Sequence, residues 1–169
     1  MLMAFSFKLR LASPFEDIIR ALSVKSSTMF TPASISLRFT SKVGTPSKTD
    51  KKYRDKISKL NAAIMGTDSD PYYGAPVIVL VLADGNANTF VEDGSCVLEN
   101  LMLAAYAEGL GSVWVHRERE IFDSEEGKAL LREWGLSETL RGVGSIALGY
   151  PAADPREALP RKNDYIRYI

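Results

Sequence analysis

The chain of 169 residues contains one cysteine and one histidine, and both scarcities limit its chemistry. A single cysteine, Cys96, excludes an intramolecular disulfide and any metal site built from several cysteines. Its isolation fits a reducing compartment, so we expect the cytoplasm. A small cysteine of this kind usually packs in the interior, and a reactive thiol is the rarer alternative. We predict no metal site.

Long hydrophobic runs are also lacking. The longest, Ala75–Ala83, is far too short to span a bilayer, and Lys8 and Arg10 interrupt the apolar residues near the start, so we expect no export signal and no membrane. The net charge is formally zero, although residues 1–60 hold 12 Lys+Arg against 4 Asp+Glu. No basic run is interleaved with aromatic residues, which argues against a nucleic-acid partner and leaves anion or nucleic-acid binding by the basic first third as a weak alternative.

The motifs of protein-based catalysis are missing as well. There is no Gly-x-Ser-x-Gly turn for a nucleophilic serine, no His-x-x-x-His pair and no glycine-rich phosphate loop followed by Lys-Ser/Thr. Gly142-x-Gly144 lacks the third glycine of a dinucleotide fingerprint and precedes a strand instead of following one. We therefore predict no catalytic side chain, and an enzyme built on this sequence would need a cofactor for its chemistry.

The stretch from residue 91 to residue 118 organises the rest of the sequence. Apolar residues recur at helical spacing over 97–105 and continue round most of the cylinder, which predicts a buried helix. Residues 93–95 are candidates for its start, and Gly109 can close its last turn in the left-handed conformation. The alternating residues 112–115 that follow predict a short strand.

Further elements follow from periodicity. The predicted helices are 15–21, 51–65 and 121–134, and the predicted strands are 5–11, 75–83, 143–150 and 165–169, with 75–83 central in the sheet. Residues 26–49 show no sustained periodicity and predict a loop, an atypical segment of one domain spanning residues 1–169. Helices and strands alternate, which predicts a sheet covered by helices on both sides.

Five motifs, in order, carry a family resemblance. They are Glu99-Asn-Leu-Met-Leu-Ala-Ala, Glu108-Gly-Leu-Gly-Ser-Val-Trp-Val-His-Arg, Glu126-Gly-Lys-Ala-Leu-Leu, Gly142-Val-Gly-Ser-Ile-Ala-Leu-Gly-Tyr-Pro and Pro160-Arg-Lys. Over residues 72–169 the chain resembles the FMN-dependent nitroreductase family. The resemblance implies an α+β fold, a three-layer α/β/α sandwich with a central, mostly antiparallel sheet. It also implies a homodimer with flavin sites at the interface, and a C-terminal segment that crosses to the partner subunit.

The resemblance further implies which residues bind the cofactor FMN. The segment after the 112–115 strand would offer backbone N–H groups to the flavin, and basic and hydroxyl residues from both ends of the chain would hold its phosphate. These residues are Val115, His116 and Arg117 for the ring, and Ser23, Lys25, Arg161 and Lys162 for the phosphate. The chain departs from the family pattern at Ala21, where an arginine is usual. His116 could equally be an ordinary surface residue.

The implied activity is hydride transfer from NAD(P)H, as co-substrate, through FMN to a nitroaromatic, a quinone or a similar small-molecule electron acceptor. The alternative is a non-catalytic or flavin-poor relative that serves as a binding or scaffold protein. The absence of a clear family counterpart between Phe30 and Asp50 favours that alternative.

Overall fold

The computed structural model describes residues 36–39, 48–153, 157–162, 164 and 166–168, with side chains described from residue 51 onward. Its elements in chain order are β1 (Ser36–Phe39), α1 (Lys48–Met65), β2 (Val77–Asp84), α2 (Phe90–Ala107), β3 (Gly111–Val115), α3 (Glu118–Asp123), α4 (Glu125–Glu133) and β4 (Leu140–Gly149). The predicted strand 5–11 and helix 15–21 lie outside the described residues.

The four strands form one sheet in the order β1-β2-β4-β3, and each neighbouring pair is antiparallel. The β-branched run of β2 is central and almost wholly buried, as predicted. Strand β1, however, lies in the segment predicted to be a loop, and that prediction was wrong. Its four residues pair with β2, so a partner strand supplies the order that local periodicity does not show.

Successive residues of β2 point to opposite faces of the sheet, and each face is covered. Ile78 and Leu80 pack with α1, α3 and α4, whereas Val79 and Val81 pack with Leu98 and other residues of α2. Two apolar clusters therefore sandwich the sheet between helical layers. This arrangement confirms the predicted α+β, three-layer architecture.

Strand β4 contains a bulge next to the centre of the sheet. Val81 pairs with Gly144 and the next residue, Leu82, pairs with Gly142, so Val143 is the extra residue in the ladder. In an uninterrupted strand Gly142 and Gly144 would face the same side. The bulge separates them, and Gly142 faces α3 whereas Gly144 faces α2.

Helix α2 differs from its prediction at one end and in its burial. It begins at Phe90 instead of within residues 93–95, and it ends as predicted with Gly109 in the left-handed conformation, at φ 71°. Leu103 and Tyr106 are exposed, so in the single chain the helix buries one face only. Cys96, expected to pack in the interior, is exposed on the same helix.

The helix predicted over residues 121–134 is two helices. Ser124 separates them and caps α4, where its Oγ accepts a hydrogen bond from the Gly127 N–H at 3.1 Å. A Cβ on Gly127 would overlap the Ile121 carbonyl, so glycine permits the tight passage between α3 and α4. No helix in the described part of the chain is long and apolar enough to cross a membrane.

Candidate functional site

The junction between β3 and α3 carries the three residues predicted to lie against the flavin ring. The Val115 side chain is buried in the cluster beneath α1, His116 is exposed, and Arg117 has a positive φ of 88°. A non-glycine residue in this conformation is uncommon and marks a position held by its surroundings. The chain therefore turns sharply here, and α3 begins with the next residue.

One side chain of α1 holds this turn. Nδ2 of Asn61, which is fully buried, donates a hydrogen bond to the His116 carbonyl at 2.8 Å. The carbonyl and the N–H of a trans peptide point in opposite directions, so the Arg117 N–H is directed away from α1. An N–H directed away from α1 is a candidate donor to a ligand on the α2 side of the sheet.

A cavity of about 460 Å³ lies on that side. Its lining residues come from α2, the β3–α3 junction and β4: Val91, Ser95, Trp114, His116, Arg117, Arg119, Glu120 and Val143. The volume falls within the range of small-molecule and cofactor sites. Trp114 and His116, two residues apart on the same face of β3, have ring centroids 5.6 Å apart and give the cavity an aromatic wall.

Two glycines allow close packing around this aromatic wall. A Cβ on Gly144 would come within 2.5 Å of Trp114 Nε1, and a Cβ on Gly94 of α2 would come within 2.6 Å of the Val143 side chain. The indole of Trp114 is partly buried against α2, and its Nε1 has no hydrogen-bond partner. Glycine at both positions therefore lets α2 and the indole approach β4 closely.

Two of the four residues predicted to bind the phosphate can be located in the structure. Arg161 and Lys162 are exposed and do not line the cavity, and Ser23 and Lys25 lie outside the described residues. The cations at the cavity are Arg117 and Arg119. The Arg119 guanidinium lies 5.6 Å from the Phe90 ring centroid, a cation–π contact that holds it at the rim.

A buried polar network supports the junction from the α1 side. Its members are Asn61, Tyr72, Glu118 and Ser145. Sequence reasoning missed all four, although Asn61 offered a signal, because it lies four residues after Ile57 on the apolar face of α1. Glu118 offered none, since a glutamate in the first turn of a helix usually faces solvent.

The loop before β2 brings Tyr72 into this network. Asp70 accepts hydrogen bonds from the Ser58 hydroxyl at 2.7 Å, from the backbone N–H of Tyr72 at 3.0 Å and from that of Gly74 at 2.8 Å, and it pairs with Arg54. Partial burial acts to raise the pKa of Asp70, but these bonds outweigh it and hold the pKa well below its ordinary value. The loop is thereby fixed with the Tyr72 ring inside the core.

A second cavity, of about 480 Å³, opens at the other end of β3. Tyr73, Pro76, Val113 and Tyr150 are among its lining residues, and none of the lining residues carries a charge. An anionic cofactor would find no cation there. The cavity at His116 and Arg117 is the better candidate because it combines an amide donor, an aromatic wall and two guanidinium groups.

These features fit a flavin mononucleotide. A planar ring system is matched by the wall of Trp114 and His116, and a hydrogen-bond acceptor on its edge by the Arg117 N–H. Arg117 and Arg119 at the rim add positive charge, which suits an anionic ligand. The residues present therefore suit the cofactor that the sequence motifs predict.

Comparison with known proteins places the chain in a family. Residues 39–150, more than half of the chain, match the model of the nitroreductase family, and the chain belongs to that family. A protein of Archaeoglobus fulgidus named "Putative NADH dehydrogenase/NAD(P)H nitroreductase" is 30% identical over 102 residues. The match covers 58% of this chain and 56% of that protein, so the chain spans little more than half of that relative's length.

Solved structures share the fold. A nitroreductase with bound FMN from Bacteroides fragilis aligns with a TM-score of 0.71 at 24% identity, over 96% of this chain and 89% of that one. A nitroreductase with bound FMN from Desulfitobacterium hafniense aligns with a TM-score of 0.68 at 16% identity, over 98% and 90%. At these identities the likeness establishes the nitroreductase fold alone.

Proposed function

We propose that the protein is an FMN-dependent oxidoreductase that transfers hydride from NAD(P)H to a nitroaromatic, a quinone or a similar small acceptor. The observation that carries the proposal is the cavity beside His116 and Arg117, where Asn61 holds the His116 carbonyl at 2.8 Å and so directs the Arg117 N–H away from α1. Membership of the nitroreductase family and FMN in two proteins of the same fold support it.

When bound, FMN would supply the hydride transfer, and the residues of the chain would bind and orient it. Trp114 and His116 would lie against the ring, and the Arg117 N–H would donate a hydrogen bond to its edge. A fixed donor at that edge stabilises negative charge on the ring without reorganising. No side chain of the chain itself is assigned a catalytic role.

The phosphate would be held by residues from both ends of the polypeptide. We assign Arg161 and Lys162 to it, together with Ser23 and Lys25, because guanidinium and ammonium groups bind phosphate strongly. In the single chain Arg161 and Lys162 are exposed on an extended segment. They would reach the phosphate of a second copy.

We also propose a homodimer, which the exposure of large side chains supports. Tyr106 on α2 is 80% exposed and Tyr168 near the C-terminus is 94% exposed, and both are large side chains that a partner could cover. We propose that two copies pair through these surfaces in the cytoplasm. Sedimentation equilibrium should give the mass of a dimer, and a monomer at micromolar concentration would contradict this assembly.

The visible spectrum of the purified protein tests the cofactor. We expect a yellow protein with one FMN per chain, bleached anaerobically by NADH or NADPH and restored by an acceptor. A colourless protein that cannot be reconstituted with FMN would instead indicate the non-catalytic scaffold. The exposure of Arg161 and Lys162, away from the cavity in the single chain, is the observation that keeps this second candidate in view.

Replacement of Arg161 tests the phosphate contact. Arg161→Ala should weaken FMN binding by about 1.5–3 kcal/mol, because a charge-assisted hydrogen bond is lost, and should leave binding of riboflavin, which has no phosphate, unchanged. Arg132→Ala is the matched control, since Arg132 forms only an exposed ion pair with Glu138. Equal FMN affinity in wild type and Arg161→Ala would contradict the assignment.

A further inference from the structure

The first residue of α3 is a buried glutamate. The Glu118 side chain has no exposed surface, and its Oε1 accepts hydrogen bonds from the Tyr72 hydroxyl at 2.8 Å and from the Ser145 hydroxyl. A fully buried carboxyl is rare, and packed apolar residues often stabilise a core at least as well. The proposed cofactor chemistry gives this residue no direct part.

Two hydrogen-bonded routes lead from Glu118 to the end of β3. Tyr72 accepts a hydrogen bond from Asn61 Nδ2 at 3.1 Å, and the same Nδ2 holds the His116 carbonyl. On the other side, Ser145 Oγ lies 3.4 Å from the Val115 carbonyl. The His116 carbonyl is therefore held through Tyr72 and Asn61, whereas the single proton of the Ser145 hydroxyl goes either to Glu118 or to the Val115 carbonyl.

Two buried acceptors of the network have no donor when Glu118 is ionised. Glu118 Oε2 and Asn61 Oδ1 are both buried and without a hydrogen-bond partner. The Asn61 amide is oriented by its two acceptors, so Oδ1 can only accept. A proton on Glu118 adds a donor to the network and removes a buried negative charge.

The surroundings of Glu118 favour that proton. Burial is the main cause that raises its pKa, to about 7, and the negative charge of Glu120 on the same helix adds to it, against hydrogen bonds from Ser145 and Tyr72. Asn61 from α1 and Ser145 from β4 do not titrate, and burial raises the pKa of Tyr72 as well, so Tyr72 stays a phenol at neutral pH.

We propose that Glu118 is a positioning residue of the cofactor site, which sets the main chain of residues 115–117 through Tyr72, Asn61 and Ser145 and loosens it when ionised. The identity of the ligand rests on the function proposed above, whereas the coupling to the segment does not. In the protonated state the network fixes the Arg117 N–H. In the ionised state, the buried negative charge and the unpartnered Oε2 of Glu118 weaken the hydrogen bonds that hold residues 115–117. The affinity for flavin falls as a result.

Amide hydrogen exchange in the flavin-free protein tests the coupling. Between pH 6 and pH 8, protection of the 115–117 amides, corrected for intrinsic exchange, should fall about tenfold in the wild type. It should stay constant in Glu118→Gln, which keeps the acceptor and carries a permanent donor. Glu126→Gln is the matched control, because Glu126 is exposed in the first turn of α4, and should behave as the wild type.

The FMN dissociation constant over the same pH range tests the consequence. It should rise about tenfold in the wild type and less than about twofold in Glu118→Gln. If Glu118→Gln does not fold, Tyr72→Phe cuts the route to Asn61 and leaves the route through Ser145, so it should reduce the pH dependence of exchange at His116 and Arg117. An unchanged pH dependence in a folded variant would overturn the proposal.

The flavin function and the coupling of Glu118 to residues 115–117 would be refuted by different results. A protein that binds no FMN but whose exchange follows Glu118 would refute the flavin function and support the coupling. A protein that binds FMN but whose 115–117 amides exchange alike in wild type, Glu118→Gln and Tyr72→Phe would support the flavin function and refute the coupling.

Discussion

The two faces of the sheet are formed by the same strands but are packed differently. Beneath α1, α3 and α4 the interior is closed and includes a hydrogen-bonded network around Glu118. Beneath α2 the packing is apolar, glycines allow close approach, and a cavity opens beside His116. The peptide between His116 and Arg117 links the two faces. Its carbonyl accepts a hydrogen bond from Asn61 on the closed face, and its N–H is directed away from that face.

The shape of the cavity depends on residues that do not line it. Asn61 and Glu118 lie on the closed face, yet they control the chain direction at the cavity. A change in the hydrogen-bonded network on the closed face should therefore alter both stability and ligand binding. A change of equal size under α2 should alter the packing of the wall and leave the turn at Arg117 in place.

The largest loss of stability is expected when alanine replaces Gly142 or Gly94, two glycines in close contact with neighbouring elements. A Cβ on Gly142 would overlap the Glu118 main chain, which cannot move without distorting α3, whereas a Cβ on Gly94 meets only the Val143 side chain. Gly142→Ala should lower the free energy of unfolding by about 3–5 kcal/mol and Gly94→Ala by about 1–3 kcal/mol. Urea unfolding measures both values.

The control for this pair is Gly111→Ala. A Cβ on Gly111 would find its nearest neighbour at 3.6 Å, an ordinary contact, so the substitution should cost less than about 1 kcal/mol. If Gly142→Ala proved no more harmful than Gly111→Ala, the close approach of α3 to β4 would not be a constraint on this fold.

A smaller effect, with a definite pH dependence, is expected at Glu118. Below pH 4.5 its carboxyl is protonated in both folded and unfolded chains. Between pH 4.5 and about 7 the unfolded chain releases the proton and the folded chain keeps it, so the free energy of unfolding falls as the pH rises. Relative to Glu118→Gln, the wild type should lose on the order of 2–3 kcal/mol across this window and no more above it.

Urea unfolding of wild type and Glu118→Gln at half-unit pH intervals measures that difference. Glu126→Gln should follow the wild type at every pH, because Glu126 is exposed. A constant difference between wild type and Glu118→Gln from pH 4.5 to pH 8 would show that Glu118 has the same pKa in both states.

The smallest effect is expected at the boundary between α3 and α4. Ser124→Ala removes the side chain that accepts the Gly127 N–H at 3.1 Å, and should cost about 1 kcal/mol, a typical value for an N-cap. Because Ser124 touches neither the network nor the cavity, FMN affinity should stay the same. A large change in FMN affinity would mean that the two faces are less independent than the contacts indicate.

The sequence predicted the central elements because their signals are local. The β-branched run of β2 and the helical spacing of α2 each appear within one window of residues. Gly109 as the stop of α2 was visible for the same reason. Family motifs predicted flavin contacts at Val115, His116 and Arg117, and the last two of these residues line the cavity.

Other features could not be predicted because their causes are distant in sequence. Strand β1 exists through its pairing with β2, more than thirty residues later. The network unites Asn61, Tyr72, Glu118 and Ser145 from four separate segments, so no single window reveals it. The break within residues 121–134 depends on the steric fit of Gly127 against Ile121, which a periodicity of apolar residues does not register.

The extra residue in β4 has a consequence for how this fold can change. Val143 is not paired in the ladder, so the alternation of side chains between the two faces is interrupted there. Residues before and after Val143 therefore face the two sides of the sheet in different phases. Deleting Val143 would leave both flanks with their present assignments, because Gly142 and Gly144 would then be successive residues of a regular strand and would still face opposite sides. The deletion would instead remove the side chain that lies against Gly94 and lines the cavity. Homologues that lack this residue should therefore keep the sheet and have a differently shaped cavity.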